Sequence, residues 1–345
     1  MKQAYNRRKF IRTAAVAGIG IGLAESFIPF SSFSKDMKLN NKRVGIIGLD
    51  TSHSVAFTKS LNTTSARAEY AGYKVVAAYP KGSNDIQSSV ERIPGYIEDV
   101  KKLGVEIVGS IKELLQKVDV VLLETNDGRL HLEQALEVIK SGKRFFIDKP
   151  ITASLADAMA IFKEAEKYKV PVFSSSSIRF TPGAQEIANG KVGKVMGADT
   201  YSPLKLEKTH PDLFWYGIHG VETLFTVMGK GCKSVIRVHT ESADVVTGIW
   251  EGGRIGSFRG IHSGKQEYGG TVFGDKGVSV IGTSAGYDPL LVKIIEFFET
   301  GIPPVSAEET LEICAFMEAA DESKKNGGTT VSLESMFRRA MASAG

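Results

Sequence analysis

At 345 residues the chain is long enough for about two domains with a substantial core. Its apolar (42%), charged (24%) and aromatic (9%) fractions are those of an ordinary globular protein. The formal net charge of +4 sits entirely in the first 34 residues, where Lys2, Arg7, Arg8, Lys9 and Arg12 face only Glu25. A body near neutrality gives no electrostatic case for nucleic acid.

The chain opens with Arg7-Arg8-Lys9-Phe10-Ile11, followed by a mild apolar run over 13–28. A basic start and a short apolar stretch have the form of a secretory signal, and paired arginines point to the twin-arginine export route. The run is short and glycine-containing for a membrane span. The expectation is therefore a signal segment over 1–34, a linker over 35–42 and a periplasmic enzyme. Membrane association is expected only if the signal is left uncleaved.

Strand one is predicted at 44–47 and turns on Gly48, with a helix-competent segment from about Ser52. A strand, a tight glycine turn and a helix N-terminus form the cradle for a dinucleotide pyrophosphate. Asp50 and His53 stand where a G-x-G-x-x-G loop has its second and third glycines. Further strands are predicted at 74–79, 105–108, 119–124, 144–147 and 170–173. Between them lie helices opened by the capping-box spacing Ser110-Ile111-Lys112-Glu113, closing on Gly142, and covering 155–168. Alternating strands and helices argue for a doubly wound parallel sheet over 43–177.

From about Ile178 the texture changes. Strands at 195–201, 234–240, 245–250, 254–260 and 266–274 are separated by glycine-rich turns, which favours an antiparallel sheet. Asp288-Pro289 opens a helix to about Thr300. Ser306-Ala307-Glu308-Glu309 opens another through about Lys324. The two cysteines, Cys232 and Cys314, make neither a disulfide framework nor a metal site and read as small buried apolar residues.

Five features stand in a fixed order: the loop at 45–53, the segment 125–131, Asp148-Lys149-Pro150, Arg179-Phe180 and Tyr216-Gly217-Ile218-His219. This order resembles the Gfo/Idh/MocA family, named for glucose–fructose oxidoreductase and inositol dehydrogenase, over nearly the whole chain after residue 42. The resemblance implies an α/β fold: an N-terminal Rossmann doubly wound sheet and a C-terminal α/β domain (178–345) with an open, mostly antiparallel sheet. It implies an NAD(P)-dependent oxidoreductase acting on a sugar or polyol, often assembled as a dimer or tetramer.

The family's Glu-Lys-Pro motif falls on Asp148-Lys149-Pro150, so its catalytic lysine carries over to Lys149 and its histidine to His219. Oxidising an alcohol removes a proton and a hydride; a histidine is a suitable base, and an ammonium steadies developing alkoxide. The nucleotide is expected on Gly45, Gly48, Thr51, Ser52, His53, Thr125, Asn126 and Lys149. The substrate is expected on Arg179, Trp215, Tyr216 and Glu222. Glu222 is read either as orienting His219 from one turn away or as a structural acid, and Arg179 either as a ligand or as a salt-bridge partner. Trp215 stands where the family often has a carboxylate.

Asp50 adds negative charge where phosphate is expected, and Tyr79-Pro80 replaces the ribose-binding acid at the end of strand two. Lys81 and Ser83 tilt the cofactor weakly from NAD towards NADP, with an ordinary basic turn as the alternative. His53, His131, His210, His219, Asp50 and Glu222 show no ligand spacing on any one element, so no catalytic metal is expected. Two other functions fit the same pattern: a sugar lyase or glycoside-cleaving enzyme using transient oxidation, and a sugar-binding homologue that has lost the nucleotide.

Overall fold

The structure is a computed structural model that describes residues 42–344; the export-signal expectation falls outside them. Strand β1 (Arg43–Ile47) is at the centre of a six-stranded sheet with β2 (Lys74–Tyr79), β3 (Glu106–Ile107), β4 (Val120–Leu123), β5 (Phe145–Ile147) and β6 (Val172–Ser174). The order is β3-β2-β1-β4-β5-β6, with every neighbouring pair parallel. This is the doubly wound sheet expected from the alternating pattern, and its strand order reverses beside β1, where ligands bind in such sheets.

Period-two alternation sorts the core. Val44, Ile46, Val120 and Leu122 point to one face, and Ile47, Val121 and Leu123 to the other. Each is fully buried, worth roughly 1.5–3 kcal/mol per large aliphatic side chain. The second face packs against α3 (Ile111–Lys117), α4 (His131–Lys140) and α5 (Leu155–Tyr168). The first packs against α1 (Ser52–Asn62), α2 (Gln87–Lys102) and, from late in the chain, α8 (Asp288–Thr300). Leu290, Ile294, Phe297 and Phe298 of α8 thus share a core with β1. Arg144 donates to the Phe298 carbonyl at 2.7 Å and the Glu299 carbonyl at 3.3 Å, a cation where the helix end is partly negative.

The two serine caps read from sequence form as expected, whereas Asp288, read as a cap, is the first residue of α8 and Tyr287 precedes it without a side-chain cap bond. Ser110 accepts from the Glu113 N–H at 3.1 Å, while the Glu113 carboxylate accepts from the Gly109 N–H at 2.9 Å. Ser306 accepts from the Glu309 N–H at 3.2 Å and opens α9 (Ala307–Lys325).

The second sheet has seven strands: β7 (Val195–Pro203), β8 (Cys232–His239), β9 (Ala243–Trp250), β10 (Ile255–Ile261), β11 (Gly269–Gly274), β12 (Gly277–Val280) and β13 (Val331–Ser332). Its order is β12-β11-β7-β10-β9-β8-β13. It is mostly antiparallel, but β7 and β10 run parallel, which glycine-rich turns alone do not indicate. One face is covered by α7 (Ile218–Met228) and α9; Trp250, Phe258 and Phe316 pack there. Both cysteines are free and buried in that core. Short helix α6 (Pro182–Ala188) and the closing α10 (Leu333–Ala344) complete the order.

Candidate active site

The nucleotide end is built by the turn after β1. Gly48 has φ +90°, and a Cβ there would lie 2.5 Å from the Thr125 backbone nitrogen, so only glycine lets this turn lie against the end of β4. Helix α1 then begins after Thr51 without a side-chain cap bond. Its first N–H groups are therefore open to an anion. The hydroxyls of Thr51 and Thr125 are buried and without hydrogen-bond partners. A positive-φ glycine, an uncapped helix start and two orphaned hydroxyls fit a dinucleotide pyrophosphate.

Asp50 is the residue expected to oppose it. Its carboxylate is fully buried and accepts from the Ser83 N–H at 3.2 Å and the Asn126 N–H at 2.9 Å. Burial raises its pKa, with those N–H groups pulling the other way. Asp50 thus ties the loops after β1, β2 and β4 together, and its charge is met by backbone dipoles. Gly82 makes room for it, since a Cβ there would fall 2.0 Å from an Asp50 oxygen.

Gly45 lies inside β1 against Val118 and Leu114 and is a packing glycine. Ser52 holds Tyr287 through a 3.0 Å hydroxyl pair. The Ser83 hydroxyl bonds Asp85 and Asp127, each at 2.9 Å, so it is not free for a 2′-phosphate. Arg129 spans Asp85 and Asp127, and His210 reaches Asp127 at 3.2 Å from the second domain. These partners hold the Asp127 carboxyl well below the usual carboxylate range despite its burial.

The chemical end lies over β5 and the start of α7. Lys149 follows β5, is 9% exposed, and its ammonium stands 5.9 Å from the centre of the Tyr216 ring. Tyr216 in turn contacts the His219 ring at 5.1 Å, and Tyr268 contacts it at 5.8 Å. A π-helical turn, Leu213–Gly217, delivers Tyr216 into α7; such turns are frequent at functional sites. Gly220 lets α7 approach the sheet, because a Cβ there would meet Phe258 at 2.2 Å.

His219 Nδ1 pairs with Ser176 Oγ at 2.7 Å. Burial, then the charges of Lys149 and His53, lower its pKa well below the ordinary value. The imidazole is therefore neutral at neutral pH. With Nδ1–H donating to Ser176, Nε2 carries the lone pair of a base.

Glu222 does not touch His219. It accepts from Ser175 Oγ at 2.5 Å, the Ser176 N–H at 2.8 Å and Arg179 Nε at 2.7 Å. Arg179 also pairs with Glu309 at 2.7 Å. Two of the four residues of the expected substrate set, Arg179 and Glu222, are thus bound to each other, and they brace the Ser175-Ser176 segment that holds His219. The Trp215 ring is tilted against His210 at 5.0 Å and comes one residue before Tyr216 in the π-helical turn.

Three contributors escaped the sequence reading: Ser176, Tyr268 and Glu124. The hydroxyl run 174–177 carried a signal only as a neighbour of Arg179. Glu124 carried none, because it ends an apolar strand. Its carboxylate is fully buried beside Asp148 and His53. Burial, then the charge of Asp148, push its pKa well above the ordinary value. Burial also pushes Asp148 upward, but His53 and Lys149 prevail and hold it at about 2.

Residues 42–176 match the Gfo/Idh/MocA family model, described as an oxidoreductase family with an NAD-binding Rossmann fold. No curated protein matches the chain. Among solved structures, a probable dehydrogenase from Thermotoga maritima superposes with TM-score 0.70 at 20% identity, covering 85% of this chain and 99% of that one. Scyllo-inositol dehydrogenase from Lactobacillus casei, with bound NAD(H) and scyllo-inositol, superposes with TM-score 0.67 at 16% identity and coverage of 85% and 99%. An oxidoreductase from Agrobacterium radiobacter, in complex with NAD+, L-tartaric acid and magnesium, gives the same four values. At these identities the structural likenesses establish a shared fold.

Proposed function

We propose that this chain, whose residues 42–176 are a Gfo/Idh/MocA NAD-binding oxidoreductase module, oxidises a secondary hydroxyl of a sugar or polyol. The observation that carries this reading is the meeting of Lys149 with a desolvated, neutral His219 over the end of β5. The polyol and NAD(H) bound to the Lactobacillus casei neighbour support the substrate class.

The helix start at Ser52 and the hydroxyls of Thr51 and Thr125 would hold the nucleotide, which when bound accepts the hydride from the substrate carbon. His219 Nε2 takes the hydroxyl proton. Ser176 receives the proton on Nδ1 as a hydrogen bond and keeps the ring facing the cleft. The Lys149 ammonium stabilises the oxygen as it becomes alkoxide-like. Tyr216 and Tyr268 flank the ring and narrow the access of water.

NAD is the form these residues favour. Ser83 is occupied, and Lys81 is the one cation left in that turn for a 2′-phosphate. The Arg7-Arg8 segment supports export by the twin-arginine route. Its Arg7→Lys, Arg8→Lys variant should stay in the cytoplasm on fractionation, and unchanged export would refute the assignment.

The test of function is incubation of purified protein with NAD or NADP and a panel of cyclitols and sugars. Formation of the ketone together with reduced nucleotide is expected. Cleavage of a glycoside without net reduced nucleotide would replace the dehydrogenase reading with a lyase. Absence of nucleotide binding by calorimetry would leave a sugar-binding protein.

A further inference from the structure

Three side chains from three separate strand ends converge beneath the site. His53 comes from the first turn of α1, Glu124 follows β4 and Asp148 follows β5. His53 Nδ1 lies 3.0 Å from Asp148 Oδ1 and 3.8 Å from Glu124 Oε2. One ligand atom from each residue falls within 4.8 Å of the others. A tetrahedral shell with metal bonds of about 2.1 Å has edges of about 3.4 Å, between the two measured separations.

The carboxylates of the cluster have unused acceptor oxygens. Neither oxygen of Glu124 has a hydrogen-bond partner, and Asp148 Oδ2 has none. Both residues are fully buried, and the Lys149 ammonium acts on them through its charge while its ring contact is with Tyr216. A buried carboxylate left without partners is strongly disfavoured, and metal coordination is a standard resolution. The surroundings already orient the ligands. The Lys149 backbone N–H donates to Asp148 Oδ1 at 2.8 Å, and the Tyr287 ring stands edge-on to His53 at 4.4 Å. Such outer contacts set the geometry of ligands in metal sites.

A second group of ligand type, His239, Asp244 and His262, does not have this deficit. There Asp244 accepts from Arg237 Nε at 2.8 Å as well as meeting both imidazoles.

We propose that His53, Glu124 and Asp148 bind one divalent first-row cation of the Zn2+ or Mn2+ class. One imidazole and two carboxylates suit such borderline ions. Three protein ligands leave a fourth position open, the pattern of reactive rather than purely structural sites. Lys149 and His219 lie near enough to feel the charges of this cluster.

The test uses the full chain purified without chelator, with metal content read by inductively coupled plasma mass spectrometry. About one ion per chain is expected. After chelation, a calorimetric titration with Zn2+ or Mn2+ should restore one site and raise Tm. Glu124→Gln and His53→Ala should each weaken that site at least ~10-fold, whereas His239→Ala should leave it unchanged. Wild-type protein that is metal-free and shows no binding or Tm rise with either ion would overturn the proposal, whether or not the variants fold. Binding that survives both Glu124→Gln and His53→Ala would overturn it equally. A parallel NAD titration separates the two readings: one metal ion bound without NAD binding fails the nucleotide reading alone, and NAD bound by protein that takes up neither ion fails the metal site alone.

Discussion

In the proposed reaction His219 is the base and Lys149 the ammonium that meets the developing alkoxide. Burial, then the charge of Lys149, keep His219 neutral, so its folded pKa lies below the unfolded value near ~6.5. A base must be deprotonated to act; the acid limb of kcat/KM should therefore fall below pH ~6.5 rather than at it. The same shift sets the sign for stability. The unfolded chain protonates first as pH drops, so the contribution is present above ~6.5 and is lost as pH falls through the folded pKa. Denaturation followed in urea at several pH values should show that decline. An acid limb above 6.5 would contradict the assignment of His219 as base. Replacing Lys149 by Ala should lower kcat about 10²–10³-fold, as removal of a transition-state donor does, and full activity would remove the lysine from the mechanism. Ser176→Ala should move the acid limb, because the hydroxyl sets which imidazole nitrogen carries the proton; a change confined to stability would make Ser176 merely structural.

Asp50 calls for a different test. As the sole carboxylate joining the Ser83 and Asn126 N–H groups, it supports the loops but brings charge towards a phosphate. Asp50→Asn keeps one acceptor and turns its amide nitrogen on an N–H. Stability should fall by about 1–3 kcal/mol, the cost of an unsatisfied buried group, while NAD affinity rises as repulsion is relieved. Chemical denaturation and calorimetry read the two effects separately; weaker NAD binding at unchanged stability would refute the account.

Elements with local signals were legible, and those resting on distant partners were not. Helix α5 was read from sequence with the bounds it has, because Ser154, an apolar stripe and the turn at Lys169 all act within one segment. Helix α2 went unread because Pro94 and Gly95 lie inside it; both weaken a helical pattern, and only packing of residues such as Val100 against the sheet outweighs them. The parallel β7–β10 pair pairs residues about 58 positions apart, as Phe258 with Thr200, and no turn records it. The site divides the same way. Lys149 and His219 are proposed from motifs, while the His53–Glu124–Asp148 meeting depends on three strand ends brought together by sheet order. Packing at this scale is tested by Gly220→Ala. The new methyl would press on Phe258, for an overpacking cost of about 1–3 kcal/mol. It should lower Tm and also reduce kcat, because His219 lies one residue away on α7. A loss of Tm with intact kcat would separate helix seating from catalysis.

At the scale of the whole molecule, the second sheet has one face covered by α7 and α9 and the other left open. Register places Ile249, Ile255, Gly197, Phe273 and Val278 in one row across β9, β10, β7, β11 and β12. The four large residues of that row are 42%, 56%, 42% and 65% exposed, and Val280 on β12 and Val238 on the flanking β8 extend the apolar surface. A lone exposed aliphatic needs no explanation, but a continuous row across five strands exceeds what a solvated sheet face requires. Side chains on such a face stand perpendicular to the strands, and two copies related by a two-fold axis would bury the row against itself. The dimer or tetramer that the family resemblance implies would bury this face, a tetramer needing a second surface to join two dimers. Ile255→Asp with Phe273→Asp puts four like charges into that contact. Sedimentation should then show monomer where the wild type shows dimer or tetramer, with the far-ultraviolet circular dichroism unchanged. The nucleotide loops belong to the other sheet, so NAD binding should survive in the monomer. A wild type that sediments as monomer at all concentrations would leave the open face without this role.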